Sequence, residues 1–185
     1  MKILGIVGSN ARHSYNRLLL EFMKKEVISG HEVELAEIRG IPLFKEKQTP
    51  VPAVMELAEK VAAADAVIIA CPEYNHSLPA ALKSTLEWLS YVAHPFANKP
   101  VMLVGASTQP TGTSRGQTHL QTVLSSPGLH ALVWHGNEFF LGNAATAFDD
   151  QGNIKNPATV KFLGQCFGQF TDFIGRLGQA GKGND

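Results

Sequence analysis

Hydrophobic and polar positions alternate along this chain in two rhythms. Lys2 to Val7 is a short, nearly unbroken apolar run ending at Gly8, the pattern of a strand buried on both faces. After a polar loop, Leu18, Leu19, Phe22, Met23 and Val27 recur at helical spacing, and Ser14 is placed to cap that helix. Glu32 to Ile38 alternates around Val33 and Leu35, as an edge strand does. Pro52 opens a second helix with Val54, Leu57, Ala58, Val61 and Ala62 along one stripe. Ala66 to Cys71 reads as another buried strand, and Pro79 sits in the first turn of a helix carrying Leu82, Leu86 and Leu89. Pro100 to Ala106 is a fourth strand, followed by a weaker helix around Leu120, Val123 and Leu124. Ala131 to Leu141 is apolar with a polar interruption at His135 to Asn137, and the final helix places Val160, Leu163, Phe167, Phe170 and Ile174 on one side.

Strands alternating with helices five times predict an α/β fold, with a parallel sheet, right-handed crossovers and helices on both faces. In such a sheet a ligand lies beyond the carboxyl ends of the strands, where the strand order reverses. The loops to inspect are therefore those after Val7, Cys71 and Ala106.

Composition narrows the partner. At 185 residues, 44 % hydrophobic and 17 % charged, the chain fits a single domain over residues 1–178, with a frayed tail at 179–185. Sixteen basic residues balance sixteen acidic ones. No net field then favours nucleic acid, a membrane surface or acidic docking of an electron carrier, which points to a small-molecule partner. No signal peptide or spanning segment is apparent, so a soluble cytoplasmic protein is expected. Cys71 and Cys166 lie far apart and suggest neither a disulfide framework nor a zinc site.

The first loop reads Gly8-Ser9-Asn10-Ala11-Arg12-His13-Ser14-Tyr15-Asn16 and leads into a helix. A helix N-terminus surrounded by two hydroxyls, an amide and a guanidinium suits a phosphate monoester. The same residues also suit an ordinary turn with Ser14 as its cap. Neither a dinucleotide Gly-x-Gly-x-x-Gly nor a Walker Gly-Lys-Ser/Thr occurs. The second loop, Cys71-Pro72-Glu73-Tyr74-Asn75-His76-Ser77-Leu78-Pro79, offers backbone polar groups and a ring to a flat heteroaromatic ligand, or is a Pro-stiffened connection. His13 and His76 read as hydrogen-bonding groups, and Cys71 as a packed thiol.

Gly8-Ser9 with Ser14-x-Asn16, then Pro72-Glu73-Tyr74-Asn75-His76-Ser77 with Pro79, Leu82-Lys83 and Trp88-Leu89-Ser90, resembles the NAD(P)H-dependent FMN reductase family across about residues 2 to 174. The resemblance implies a flavodoxin-like three-layer α/β/α fold with a five-stranded parallel sheet in the order 2-1-3-4-5. It implies non-covalent FMN, NADPH or NADH as co-substrate, ping-pong turnover with a flavin, quinone or azo acceptor, and a homodimer or homotetramer. Carried over by position, Ser9, Ser14 and Asn16 become phosphate ligands, and Pro72, Glu73, Tyr74 and Asn75 the loop against the isoalloxazine. Many members carry a basic residue two positions after the first serine; Ala11 stands there and Arg12 follows, so Arg12 takes that role. The third loop, Gly105 to Gly116, resembles the family's Gly-rich segment and brings Ser107 near the ring. Arg115 is open to the flavin's developing charge, a nicotinamide phosphate or an acid such as Glu87.

Two rivals remain in view. A flavodoxin-type electron carrier without nicotinamide activity would share the fold, although flavodoxins are usually strongly acidic. Gly112-Thr113-Ser114-Arg115-Gly116 matches the serine-hydrolase motif, but no His follows His135 to complete the triad order. From Trp88 to Phe148 the only Asp, Glu, Lys or Arg residues are Lys99, Arg115 and Glu138, which predicts a covered face: flavin cleft on one side, subunit contact on the other.

Overall fold

A computed structural model describes residues 1–180. Strand β1 (Lys2–Val7) is flanked by β2 (Glu32–Glu37) and β3 (Ala66–Ala70), and β4 (Pro100–Ala106) follows β3. Helices α1 (Tyr15–Phe22), α2 (Pro52–Ala63), α3 (Ala80–Val92) and α4 (Ser114–Leu124) make the connections. The order is β2-β1-β3-β4-β5 and every pairing is parallel, as expected.

Residue parity builds the two cores. Ile3 and Val7 of β1, Ala66, Ile68 and Ala70 of β3, and Met102 and Val104 of β4 face Leu19, Leu20 and Met23 after or within α1. The same cluster takes Leu163, Phe167 and Phe170 from α6 (Pro157–Ala180). Leu4, Ile6, Val67, Ile69, Val101 and Leu103 point the other way, onto Leu57 and Val61 of α2, Leu82, Leu86 and Leu89 of α3, and Leu120 and Leu124 of α4. Burial on both faces explains why these strands read as continuous apolar runs.

Three details go beyond the sequence pattern. The apolar run 131–141 is two strands: β5 (Leu132–Val133) pairs with Pro100 and Val101, while β6 (Phe139–Leu141) pairs with Val104 to Ala106. The polar residues His135 to Asn137 leave the sheet between them, because their side chains have no partners in a buried strand. A short helix α5 (Ala144–Ala147) follows β6. At the end of α1, a wider turn joins Ile28 N–H to the Met23 carbonyl at 2.8 Å before the chain enters β2. Finally, α6 runs through Gly178 to Ala180, past the point where fraying was expected; the rest of that tail, 181–185, lies outside the described residues.

The β2–α2 connection is tied down across α3. Trp88 Nε1 donates to the Pro42 carbonyl at 2.9 Å, the Phe44 amide donates to Ser84 Oγ at 2.5 Å, and the Phe44 ring meets Trp88 edge-on.

Candidate functional site

From β1 the chain turns back to β2 on one side, and from β3 it moves on to β4 on the other. The loops that follow β1 and β3 therefore diverge and open a crevice at the carboxyl end of the sheet. A cleft of about 360 Å³ lies there, and all three expected loops line it. Ser9, His13, Ser14, Tyr15 and Asn16 come from the first; Pro72, Glu73 and Tyr74 from the second; Ala106, Ser107, Thr108 and Gln109 from the end of β4 and its loop.

The first loop leaves the sheet through a bond from Gly8 N–H to the Ala70 carbonyl, 2.9 Å. Ser9, which is buried, accepts the Ala11 N–H on its hydroxyl at 3.2 Å, and Ser14 Oγ caps α1 by accepting Arg17 N–H at 3.4 Å. Each hydroxyl oxygen thus has a donor, which leaves its own proton for an acceptor in the cleft. The backbone N–H groups from Arg12 to Asn16 have no acceptor among the described residues. These free donors, at the positive end of a helix, favour an anion.

Asn16 has a further task. Its Nδ2 donates to the Ala106 carbonyl at 2.9 Å and its Oδ1 accepts the Ala106 N–H at 3.0 Å, both buried. One side chain therefore fastens the start of α1 to the end of β4, and the first loop to the third.

The second loop folds on itself. Tyr74 and Ser77 exchange both backbone hydrogen bonds, at 2.9 and 3.1 Å, across a two-residue turn in which Asn75 (φ 51°) and His76 (φ 64°) are left-handed. Glu73 Oε2 accepts the Gly116 N–H in the first turn of α4 at 2.9 Å, so its charge meets the positive end of that helix. The fit is close: a Cβ on Gly116 would stand 3.1 Å from the Pro72 carbonyl oxygen. His119 Nδ1 lies 3.0 Å from Ser77 Oγ, a second tie between this loop and α4. Arg115 Nη1 donates to His76 Nδ1 at 2.7 Å, whereas Glu87 takes Lys83 as its partner at 2.6 Å.

In the third loop, Ser107 is anchored by its backbone to Leu141 and Ala144, both at 2.9 Å, and its hydroxyl accepts Gln109 N–H at 3.2 Å. The second half of the split strand thus supports the cleft. Ser114 opens α4, and no histidine among the described residues hydrogen-bonds to it. Burial pushes the Cys71 thiol far up, with the nearby Glu73 charge adding to it.

Of the residues singled out in the sequence, Ser9, Ser14, Asn16, Pro72, Glu73, Tyr74 and Ser107 meet in one cleft. Arg12 lines an adjoining groove with Arg17, Glu37 and Arg39, and Asn75 sits at the turn tip outside the cleft lining. Tyr15, Thr108 and Gln109 line the cleft without having been singled out, although they flank motif residues.

Residues 1–146 match the NADPH-dependent FMN reductase family. The chain belongs to that family. Over 176 residues, 94 % of this chain and 87 % of the relative, it is 43 % identical to the NADH:(hydroxy)cinnamate reductase subunit CrdA of Vibrio ruber. It is 33 % identical to the quinone reductase of Escherichia coli K12 over 184 residues, covering 96 % of this chain and 97 % of that one. The flavoenzyme NAD(P)H:(acceptor) oxidoreductase FerB of Paracoccus denitrificans shares the fold with a TM-score of 0.83 at 25 % identity, covering 95 % and 97 % of the two chains. The family's flavodoxin-like architecture is the one described above. No helix among the described residues is long and apolar enough to cross a membrane.

Proposed function

We propose that this chain holds FMN in the three-loop cleft and uses it to pass electrons from NADPH or NADH to a small-molecule acceptor: a free flavin, a quinone or an azo compound. One observation carries the reading: unpaired N–H groups and two proton-bearing hydroxyls of the first loop share one cleft with Pro72, Glu73 and Tyr74 of the hydrogen-bonded second loop. That combination fits FMN, with a phosphate at one end and a flat ring at the other, and the cleft volume falls within the rough 300–1,000 Å³ range of cofactor sites. Family membership supports a reductase over an electron carrier.

When bound, FMN supplies the redox chemistry, as flavin cofactors do. The chain's part is to bind and orient. Ser9 and Ser14 donate to the phosphate together with the free N–H groups of the first loop. Asn16 adds its remaining Nδ2 proton, and Arg12, which has no carboxylate partner among the described residues, adds its charge. Pro72, Glu73, Tyr74 and Asn75 present the second loop to the ring. With Glu73 committed to α4, that loop offers backbone groups to the ring edge and no free carboxylate. Ser107 brings the third loop close to the ring. No side-chain nucleophile is required.

The chain's two free cysteines, both buried, suit a reducing compartment, which supports a place in the cytoplasm. We also propose a homodimer or homotetramer that covers the charge-poor surface of the stretch from Trp88 to Phe148, where Tyr91 is half exposed beside Phe44, whose chain neighbour Leu43 is 70 % exposed. Sedimentation as a strict monomer would overturn the oligomer.

The activity is tested by following NADPH and NADH oxidation with a quinone or free FMN and no other reductase present. Steady oxidation is expected. A protein that binds FMN yet oxidises neither nicotinamide is a carrier, and the reading is then wrong.

A further inference from the structure

Beside the cleft, the outer side of the first loop is held by charged side chains that no motif singles out. Arg17 in α1 forms a two-pronged ion pair with Glu37 at the end of β2, Nε to Oε1 at 2.5 Å and Nη2 to Oε2 at 2.7 Å. The same guanidinium donates to the Arg12 carbonyl at 3.1 Å and to the Ala11 carbonyl at 3.3 Å. Arg39, two residues beyond the end of β2, also reaches Ala11, Nη2 to the carbonyl at 2.6 Å. Sheet register explains the meeting: Glu37 pairs with Val7, the last residue of β1, and lies on the same face of β2 as Val33 and Leu35, which pack toward α1. The Arg17 side chain is only 18 % exposed, so its fork is fixed by packing as well as by charge.

In a trans peptide the carbonyl and the following N–H point in opposite directions, and no cis peptide occurs here. Holding the Ala11 and Arg12 carbonyls on the arginines therefore turns the N–H groups of Arg12 and His13 away from them. Those two N–H groups are among the donors left free in the first loop. The arginines also cover two carbonyl dipoles whose negative ends would repel an anion.

We infer that Arg17, Arg39 and Glu37 are positioning residues for the phosphate-binding loop: a charged brace that pre-sets the loop's N–H groups toward the FMN phosphate without touching it. The inference rests on FMN occupying the cleft. It differs from simple attraction in one sign. Glu37→Gln makes the neighbourhood of the phosphate more positive while loosening the Arg17 fork. Attraction alone predicts tighter FMN binding; the brace predicts weaker binding.

The test is a fluorescence titration of apoprotein with FMN and, in parallel, with riboflavin, which lacks the phosphate. Glu37→Gln, Arg17→Lys and Arg39→Gln are each expected to raise the FMN Kd about tenfold while the riboflavin Kd moves by less than about twofold. Combining Glu37→Gln with Arg17→Lys should add little, because both break one fork. Unchanged or tighter FMN binding by Glu37→Gln overturns the brace, and so does an equal loss for FMN and riboflavin, which would mark general loosening. Wild-type protein that takes up no FMN overturns the cofactor reading, and the brace with it. Tight wild-type binding with indifferent variants overturns the brace alone.

Discussion

Among the described residues, Asn16 is the one side chain of α1 that hydrogen-bonds to the end of β4, and Asn16→Ala removes it. Two hydrogen bonds disappear, at 2.9 and 3.0 Å, and both groups left behind belong to the backbone of Ala106, itself only 4 % exposed. Each buried group left without a partner costs about 1–3 kcal/mol. The cleft lies alongside and lets water reach part of the gap, so a total near 3 kcal/mol is expected, in the lower half of the summed range. For a chain of this size that corresponds to a fall in melting temperature of roughly 6–12 °C. Urea unfolding of the apoprotein, followed by far-UV circular dichroism, measures the free energy directly. The first and third loops should also lose their common anchor, so FMN affinity should fall with stability. A loss below about 1 kcal/mol would refute the reasoning, since it would mean that Ala106 finds other partners at no cost.

Three further outcomes follow from other parts of the molecule. Gly105→Ala should destabilise the chain by about 2–3 kcal/mol, because a Cβ there would stand 1.9 Å from Thr113 Oγ1 and 2.6 Å from the Cys71 carbonyl oxygen; thermal melts check it. Burial pushes the Cys166 thiol up to about 11, and Cys71 is buried as well, so neither should react with a thiol reagent at pH 8 until the protein is unfolded. The Asn153 side chain and backbone, with Gln151, hold the Asp149 carboxyl below its ordinary value of 3.8. A depressed acid stabilises the fold fully above that value, and the contribution is lost as pH falls through the lower folded one. Stability measured from pH 6 to pH 2 should therefore show an acid-dependent component that Asp149→Asn abolishes.

Much of the fold was legible because burial on both faces leaves a plain mark. β1, β3 and β4 are short apolar runs, and α2 has a clean stripe begun by Pro52. The split of the fifth strand was visible only as a polar interruption; that the two halves share β4 as partner depends on long-range pairing, which no local pattern encodes. The candidate site was legible as loops because strand ends at a switch point gather them. Its braces were not. Asn16 entered as a phosphate ligand through the family resemblance, and its bonds to a residue 90 positions away appear only in the folded chain. Arg17, Glu37 and Arg39 look like ordinary surface charges in sequence, and only the β1–β2 register brings them to the first loop.

The central claim is that the three-loop cleft holds FMN in reach of a nicotinamide. It is tested most directly by loading the purified protein with FMN, removing oxygen, and titrating with NADPH and with NADH while recording the visible spectrum. Bleaching of the bound flavin by at least one of the two is predicted. A protein that stays colourless after incubation with FMN, or whose bound FMN keeps its full absorbance with both nicotinamides, would contradict it.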